Sequence, residues 1–246
     1  MKRLFLMLIV SLIISPVVEA ASVRSYYFPG DVGSLWSYSL PQNLNTTFVH
    51  TGQEKIDEHS YTVITETVTI LGPAFTTFRE AGNTIWGHGQ VANTAIANNL
   101  INEFNKAGFQ ADVKSHAHEW VVLKNVDLGS HWIVSSFSLT IWDPAQPDRK
   151  LPGFLKIEAE VIRNDEKIVI GARSFDAVAV QYSLWREMLD LKRKDLMMTL
   201  WFAEGVGIVR LLNGQGLAQI TRYELNPLSV SPQGKISTTW GELKIR

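Results

Sequence analysis

Apolar and polar residues alternate along much of this chain. Leu155, Ile157, Ala159 and Val161 fall on one face, and Lys156, Glu158 and Glu160 on the other. Successive side chains of a strand point to opposite faces, so Leu155–Val161 reads as a half-buried strand. Tyr61–Leu71 is rich in Thr, Val and Ile and predicts another strand. Trp132–Trp142 and Phe175–Tyr182 predict two more. Gly72-Pro73, Asp143-Pro144, Pro147-Asp148 and Asn164-Asp165 punctuate these runs as turns. Strands at this spacing predict an antiparallel sheet, sandwich or barrel.

One segment has a different period. Ala92, Ile96, Leu100 and Phe104 recur every four residues, with polar Asn98, Asn99, Asn102, Glu103 and Lys106 opposite. Gly108 follows where a C-terminal cap belongs. Val91–Ala107 is therefore expected to be an amphipathic helix, its apolar stripe covering one face of the sheet. Leu184–Leu200 fits either a helix or two strands joined at a charged turn, Lys192–Asp195. The β context favours the hairpin.

The chain also echoes itself. Asp31-Val32-Gly33-Ser34-Leu35-Trp36 matches Asp127-Leu128-Gly129-Ser130-His131-Trp132 as acid, aliphatic, Gly-Ser, any residue, Trp. Both read as a glycine turn opening a strand, with the Trp turned into the core. No low-complexity linker divides the chain, so residues 21–246 are read as a single domain.

The N-terminus narrows the compartment. Lys2 and Arg3 precede an apolar run, Leu4–Ile14, and Val18-Glu19-Ala20 supplies a small-residue cleavage site. Met1–Ala20 is thus expected to be a signal peptide, shorter in its apolar run than a spanning helix. No Cys follows it for lipid attachment. The exported product is expected in a periplasm or outside the cell, without stable membrane insertion. Removing Lys2, Arg3 and Glu19 from 23 basic and 24 acidic residues leaves 21 against 23, a net charge of −2. That balance gives no electrostatic case for nucleic acid or an anionic membrane surface. The chain has no Cys, which excludes disulfides, thiolate metal sites and Cys nucleophiles. Eight Trp, eleven Phe and six Tyr instead supply a large core.

Candidate chemistry is sparse. His116-Ala117-His118-Glu119-Trp120, if extended, puts His116, His118 and Trp120 on one face, where two imidazoles could share a metal with His131. The plainer reading is a solvated connection, and no metal or other cofactor is expected. There is no Gly-x-Ser-x-Gly elbow, no His-Glu-x-x-His and no phosphate-cradling glycine loop. No catalytic residue is assigned, and a hydrolase ranks last among the readings.

Four stretches resemble a known family. Tyr27-Phe28-Pro29 with Val32-Gly33-Ser34-Leu35-Trp36-Ser37-Tyr38, then Leu128–Trp132, Gly171–Val180 and Trp201–Arg210, are similar in order to signposts of exported bacterial β proteins, the TapB-family or related domains of unknown function. Gly30, Ser34, Arg173 and Glu204 depart from that pattern. The resemblance implies a curved antiparallel sheet, an open half-barrel like that of lipoprotein carriers, with a helix packed on its concave face. The expected role is a binding or carrier module for an apolar small molecule or lipid, with Ile96, Leu100 and Phe104 lining the site. The alternative is an accessory protein docking on an envelope protein through its sheet.

Overall fold

The computed structural model describes residues 22–189 and 191–226. The expected signal peptide Met1–Ala20 lies outside the described residues. Among the described residues thirteen strands form one antiparallel sheet. The first half holds β1 (Leu35–Ser39), β2 (Asn45–Ile56), β3 (His59–Glu66), β4 (Thr77–Glu80), β5 (Ile85–His88), β6 (Gln110–Ser115) and β7 (Glu119–Leu123). The second holds β8 (His131–Trp142), β9 (Lys150–Ile170), β10 (Arg173–Met188), β11 (Leu191–Ala203), β12 (Gly207–Asn213) and β13 (Gly216–Glu224). Among the described residues three α-helices accompany them, α1 (Val23–Tyr26), α2 (Pro73–Thr76) and α3 (Gln90–Lys106), with a short 3-10 helix at Pro41–Asn43.

The strand order is β6-β8-β9-β10-β11-β12-β13-β1-β2-β3-β4-β5-β7. Its two edges, β6 and β7, are consecutive in sequence. A sheet of this size twists and curls, and here it curls until the edges approach. They do not pair. Side chains from inner strands reach the β7 edge instead: Trp132 on β8 donates its indole N–H to the Val121 carbonyl at 2.8 Å, and Tyr182 on β10 donates to Val122 at 2.8 Å. α3 ties in the link between the edges. Asn93 donates to the Ala117 carbonyl and accepts from the Trp120 indole, both at 2.8 Å.

The interior of this roll is filled by rings. Tyr27, Phe28, Trp36, Tyr38, Phe48 and Phe78 are all buried. They meet edge to face, as Tyr27 and Phe78 do at 4.9 Å and Tyr38 and Phe48 at 5.0 Å. Their polar tips end on backbone carbonyls: Trp36 on Val206 and Tyr38 on Ile208, each at 2.7 Å. A buried ring donor needs such a partner. Gly87 is required by close approach, since a Cβ there would sit 1.8 Å from the Ala74 carbonyl oxygen.

The sequence echo is a structural one. Ser34 donates its N–H to Asp31 at 2.9 Å, as Ser130 does to Asp127 at 3.1 Å. Gly33 and Gly129, both at positive φ, donate to His50 and Val161 on the next strand. Both Trp rings are buried with their N–H on a carbonyl. His50 therefore occupies the place that Val161 holds in the second copy. It is 4% exposed, and its ring nitrogens lie beside the Gly30 and Gly52 backbone without a well-formed hydrogen bond. Burial, reinforced by the Arg24 guanidinium and opposed by Asp31, lowers its pKa from the ordinary 6.5.

Several expectations need correction. The strand expected over Tyr61–Leu71 stops at Glu66 because its carboxylate turns back to accept the Ile70, Leu71 and Gly72 amides. Asn164-Asp165 is not a turn but lies within β9, opposite a register shift between Ala177 and Ala179. Residues 184–200 form the hairpin, yet the turn is not Lys192–Asp195. Met188 pairs with Leu191, with Leu189 at φ 52° between them. Lys192 and Lys194 are strand residues, held by Glu187 at 3.1 Å and by the Trp185 ring at 5.3 Å.

Three outcomes test this architecture. Tyr182→Phe strips a buried carbonyl of its partner and should cost about 1–3 kcal/mol in urea denaturation. Gly87→Ala should cost about 3 kcal/mol through overpacking against α2. The third concerns acid. Because the folded state depresses the His50 pKa, its contribution is complete above about pH 6.5 and is lost as pH falls towards the lowered value, where the unfolded chain takes the proton first. His50→Val should flatten the stability profile below about pH 6.5; an unchanged slope would assign the acid sensitivity elsewhere.

Candidate functional site

α3 positions the predicted site. Its four-residue period places Ala92, Ile96, Leu100 and Phe104 along one side, packed against the core. Leu100 is buried, and the other three are half-buried. Leu100 and Phe104 line a common pocket whose lining does not include Ile96. Ile96 packs into the core margin. Leu100 and Phe104, one turn further on, reach a separate pocket.

This pocket lies between the C-terminal half of α3 and the tip of the β10–β11 hairpin. Leu100 and Phe104 form one wall. Leu139, Leu155, Met188 and Leu191 form much of the rest. Its volume is about 120 Å³. An apolar cavity of ~150 Å³ holds one benzene, so this one has room for about four to six chain carbons. Arg186, Glu187 and Arg193 join the lining. Arg186 is engaged by Glu103 and by Asp195, each at 3.4 Å. Arg193 is held by Asp195 at 2.8 Å.

The pocket continues outward. Phe154 and Glu187 are shared with an open groove of about 390 Å³ that runs past Pro152, Gly153 and Leu189. Along the pocket and groove stand Phe154, Leu189 and Leu191, the last two 62% and 71% exposed. Single exposed leucines are ordinary, whereas several beside an apolar pocket are a less common arrangement. Geometry creates it: Gly153 pairs with Met188, so the start of β9 and the hairpin tip share one end of the sheet.

The histidine hint resolves differently. His116 and His118 are exposed on the short β6–β7 link, while Trp120 is buried against α3. The link is not extended, so the three do not share a face. His131 stands at the start of β8, opposite Glu160. Among the described residues no group of three or more His, Asp or Glu is placed to hold a metal ion.

Sequence reasoning missed a polar cluster across β3, β4, β5 and β7. Arg79 grips Glu119 through two hydrogen bonds of 2.6 and 2.7 Å, and Tyr61 donates to the same carboxylate at 2.6 Å. Burial and that carboxylate push the Tyr61 pKa up to about 12. His88 packs edge-on to Tyr61 at 5.4 Å. The carboxylate is saturated by its partners, so the cluster ties four strands together rather than presenting a base. The signal was absent from local sequence, since Tyr61, Arg79 and Glu119 meet only through strand pairing.

No family model matches the chain, and no curated protein does either. Among solved structures, it is similar to a candidate exported protein with a YmcC-like fold from Bacteroides fragilis, at 13% identity and a TM-score of 0.39, over 81% of this chain and 99% of that one. It is also similar to a candidate lipoprotein from Parabacteroides distasonis, at 14% identity and a TM-score of 0.36, over 81% and 98%.

The pocket assignment is open to test. Leu100→Ala should cost about 2–4 kcal/mol in denaturation, because it enlarges a cavity beside the core. Leu191→Asp, at a largely exposed side chain, should change stability by less than about 0.5 kcal/mol.

Proposed function

We propose that this is an exported, non-catalytic binding module of the cell envelope that takes the apolar part of an amphipathic ligand in the groove beside α3. One observation carries the reading. The Leu100–Phe104 wall of the pocket leads past Phe154, with Glu187 beside it, to the exposed Leu189 and Leu191. The packed interior weighs against full enclosure of a lipid. The geometry suits a chain end held at the rim, with the head group outside near Arg193.

Export rests on the leader Met1–Ala20. The TapB-like landmarks agree with it, and in the structure they are turn and core features: Tyr27, Phe28 and Trp36 are core rings, and Gly129 is a strand-opening turn. Docking through a sheet edge has less support, because the Val121 and Val122 carbonyls on β7 already accept from Trp132 and Tyr182.

Two measurements decide the reading. Titration of the exported chain with cis-parinaric acid should give saturable fluorescence enhancement. Leu191→Asp should weaken it about tenfold, the worth of one exposed leucine on burial, while Leu196→Asp, exposed elsewhere on β11, leaves it unchanged. Equal binding by all three proteins would remove the groove from consideration. N-terminal sequencing of the protein from the envelope fraction should begin at Ala21; an intact Met1 would overturn the export assignment.

A further inference from the structure

The β9–β10 hairpin outruns its neighbours. β8 pairs with β9 only as far as Glu160, and β11 pairs with β10 only from Ala177. Residues 162–176 therefore form a two-stranded arm beyond the body of the sheet. The arm is held down. Trp201 on β11 donates its indole N–H to Glu166 at 2.8 Å. Phe175 meets Tyr223 on β13 at 6.5 Å, and the Arg173 guanidinium lies 5.4 Å over the same ring. Beneath the arm is a cleft of about 630 Å³, bounded also by Tyr26 and by the β11–β12 turn with Glu204. It lies at the opposite end of β9 and β10 from the apolar groove and shares no residue with it.

The lining selects a class of ligand. Three aromatic residues, Tyr26, Phe175 and Tyr223, stand beside Asn164, Arg173, Ser174, Asp176 and Glu204. Two carboxylates face one guanidinium, a formal balance of −1 that disfavours phosphates and other anions. The guanidinium is itself stacked on Tyr223. An acyl chain would strand these polar groups without partners. A divalent metal would need a third ligand, and no such group exists among the described residues. Burial, and after it the Glu204 carboxylate that its hydroxyl meets, raises the Tyr26 pKa. A ligand with apolar C–H faces for the rings and many hydroxyls, each both donor and acceptor, satisfies the whole set. The volume lies within the range of small-molecule sites.

We propose that the cleft under the β9–β10 arm binds a neutral carbohydrate. The rings take the C–H face of a sugar unit, while Asp176, Glu204 and Asn164 take its hydroxyls. This site is independent of the apolar groove. The test is titration calorimetry of the exported chain with maltotetraose, cellotetraose, xylotetraose and chitotetraose at concentrations up to about 10 mM, which detects dissociation constants in the millimolar range. At least one should bind. Glu204→Gln and Asp176→Asn, both at exposed positions, should each weaken that binding about tenfold, the loss of a charge-assisted hydrogen bond, without moving the thermal midpoint. Tyr223→Ala should abolish it. Four silent tetrasaccharides, binding that survives all three substitutions, or displacement of the sugar by spermidine would overturn the assignment. The cis-parinaric acid titration on the same preparation should be unaffected by Glu204→Gln, which separates failure here from failure of the groove.

Discussion

The structure depends on how a thirteen-stranded sheet hides its last edge. β7 ends the ladder with carbonyls to which no strand donates, and a buried carbonyl without a donor is costly. Trp132 and Tyr182 supply donors from across the roll, and the Asn93–Trp120 pair fastens α3 over the join. The sheet is closed by side chains and remains open in its backbone. That arrangement explains why Trp and Tyr, rings with one polar end, are used at these positions rather than Phe or Leu.

The same rings shape the rest of the molecule. Tyr27, Phe28, Trp36, Tyr38, Phe48 and Phe78 pack together in the interior. The apolar pocket and the polar cleft lie at the two ends of the long central strands. At one end, short partner strands and the hairpin tip leave leucines around an apolar pocket. At the other, the overlong β9–β10 hairpin bends onto β13 and roofs a polar cleft. One structural cause, unequal strand length in β8–β11, produces both.

The paired Asp-x-Gly-Ser-x-Trp openings show how much one local motif can specify. Each makes the same turn, the same exchange with the next strand and the same buried indole. The copies differ at His50 and Val161. A buried imidazole without good partners costs stability that a valine does not, so His50 is the weak point of the first copy.

Some of this was legible in the residues alone. Alternation over Leu155–Val161, the four-residue period of α3 and the two glycine turns are local signals, and local geometry honours them. Leu100 and Phe104 were identifiable as one helix stripe. What the stripe would face was not. The end of β3 depends on where the Glu66 carboxylate reaches, and the hairpin turn at Leu189 depends on cross-strand pairs with charged partners. Burial of Trp120 but not of His116 or His118 depends on α3 lying against the link. The cleft gathers Tyr26, Arg173, Glu204 and Tyr223 from segments far apart in sequence. Periodicity reports which side of an element is apolar. Which elements meet is decided by register and curl over the whole sheet, and so only by the tertiary structure.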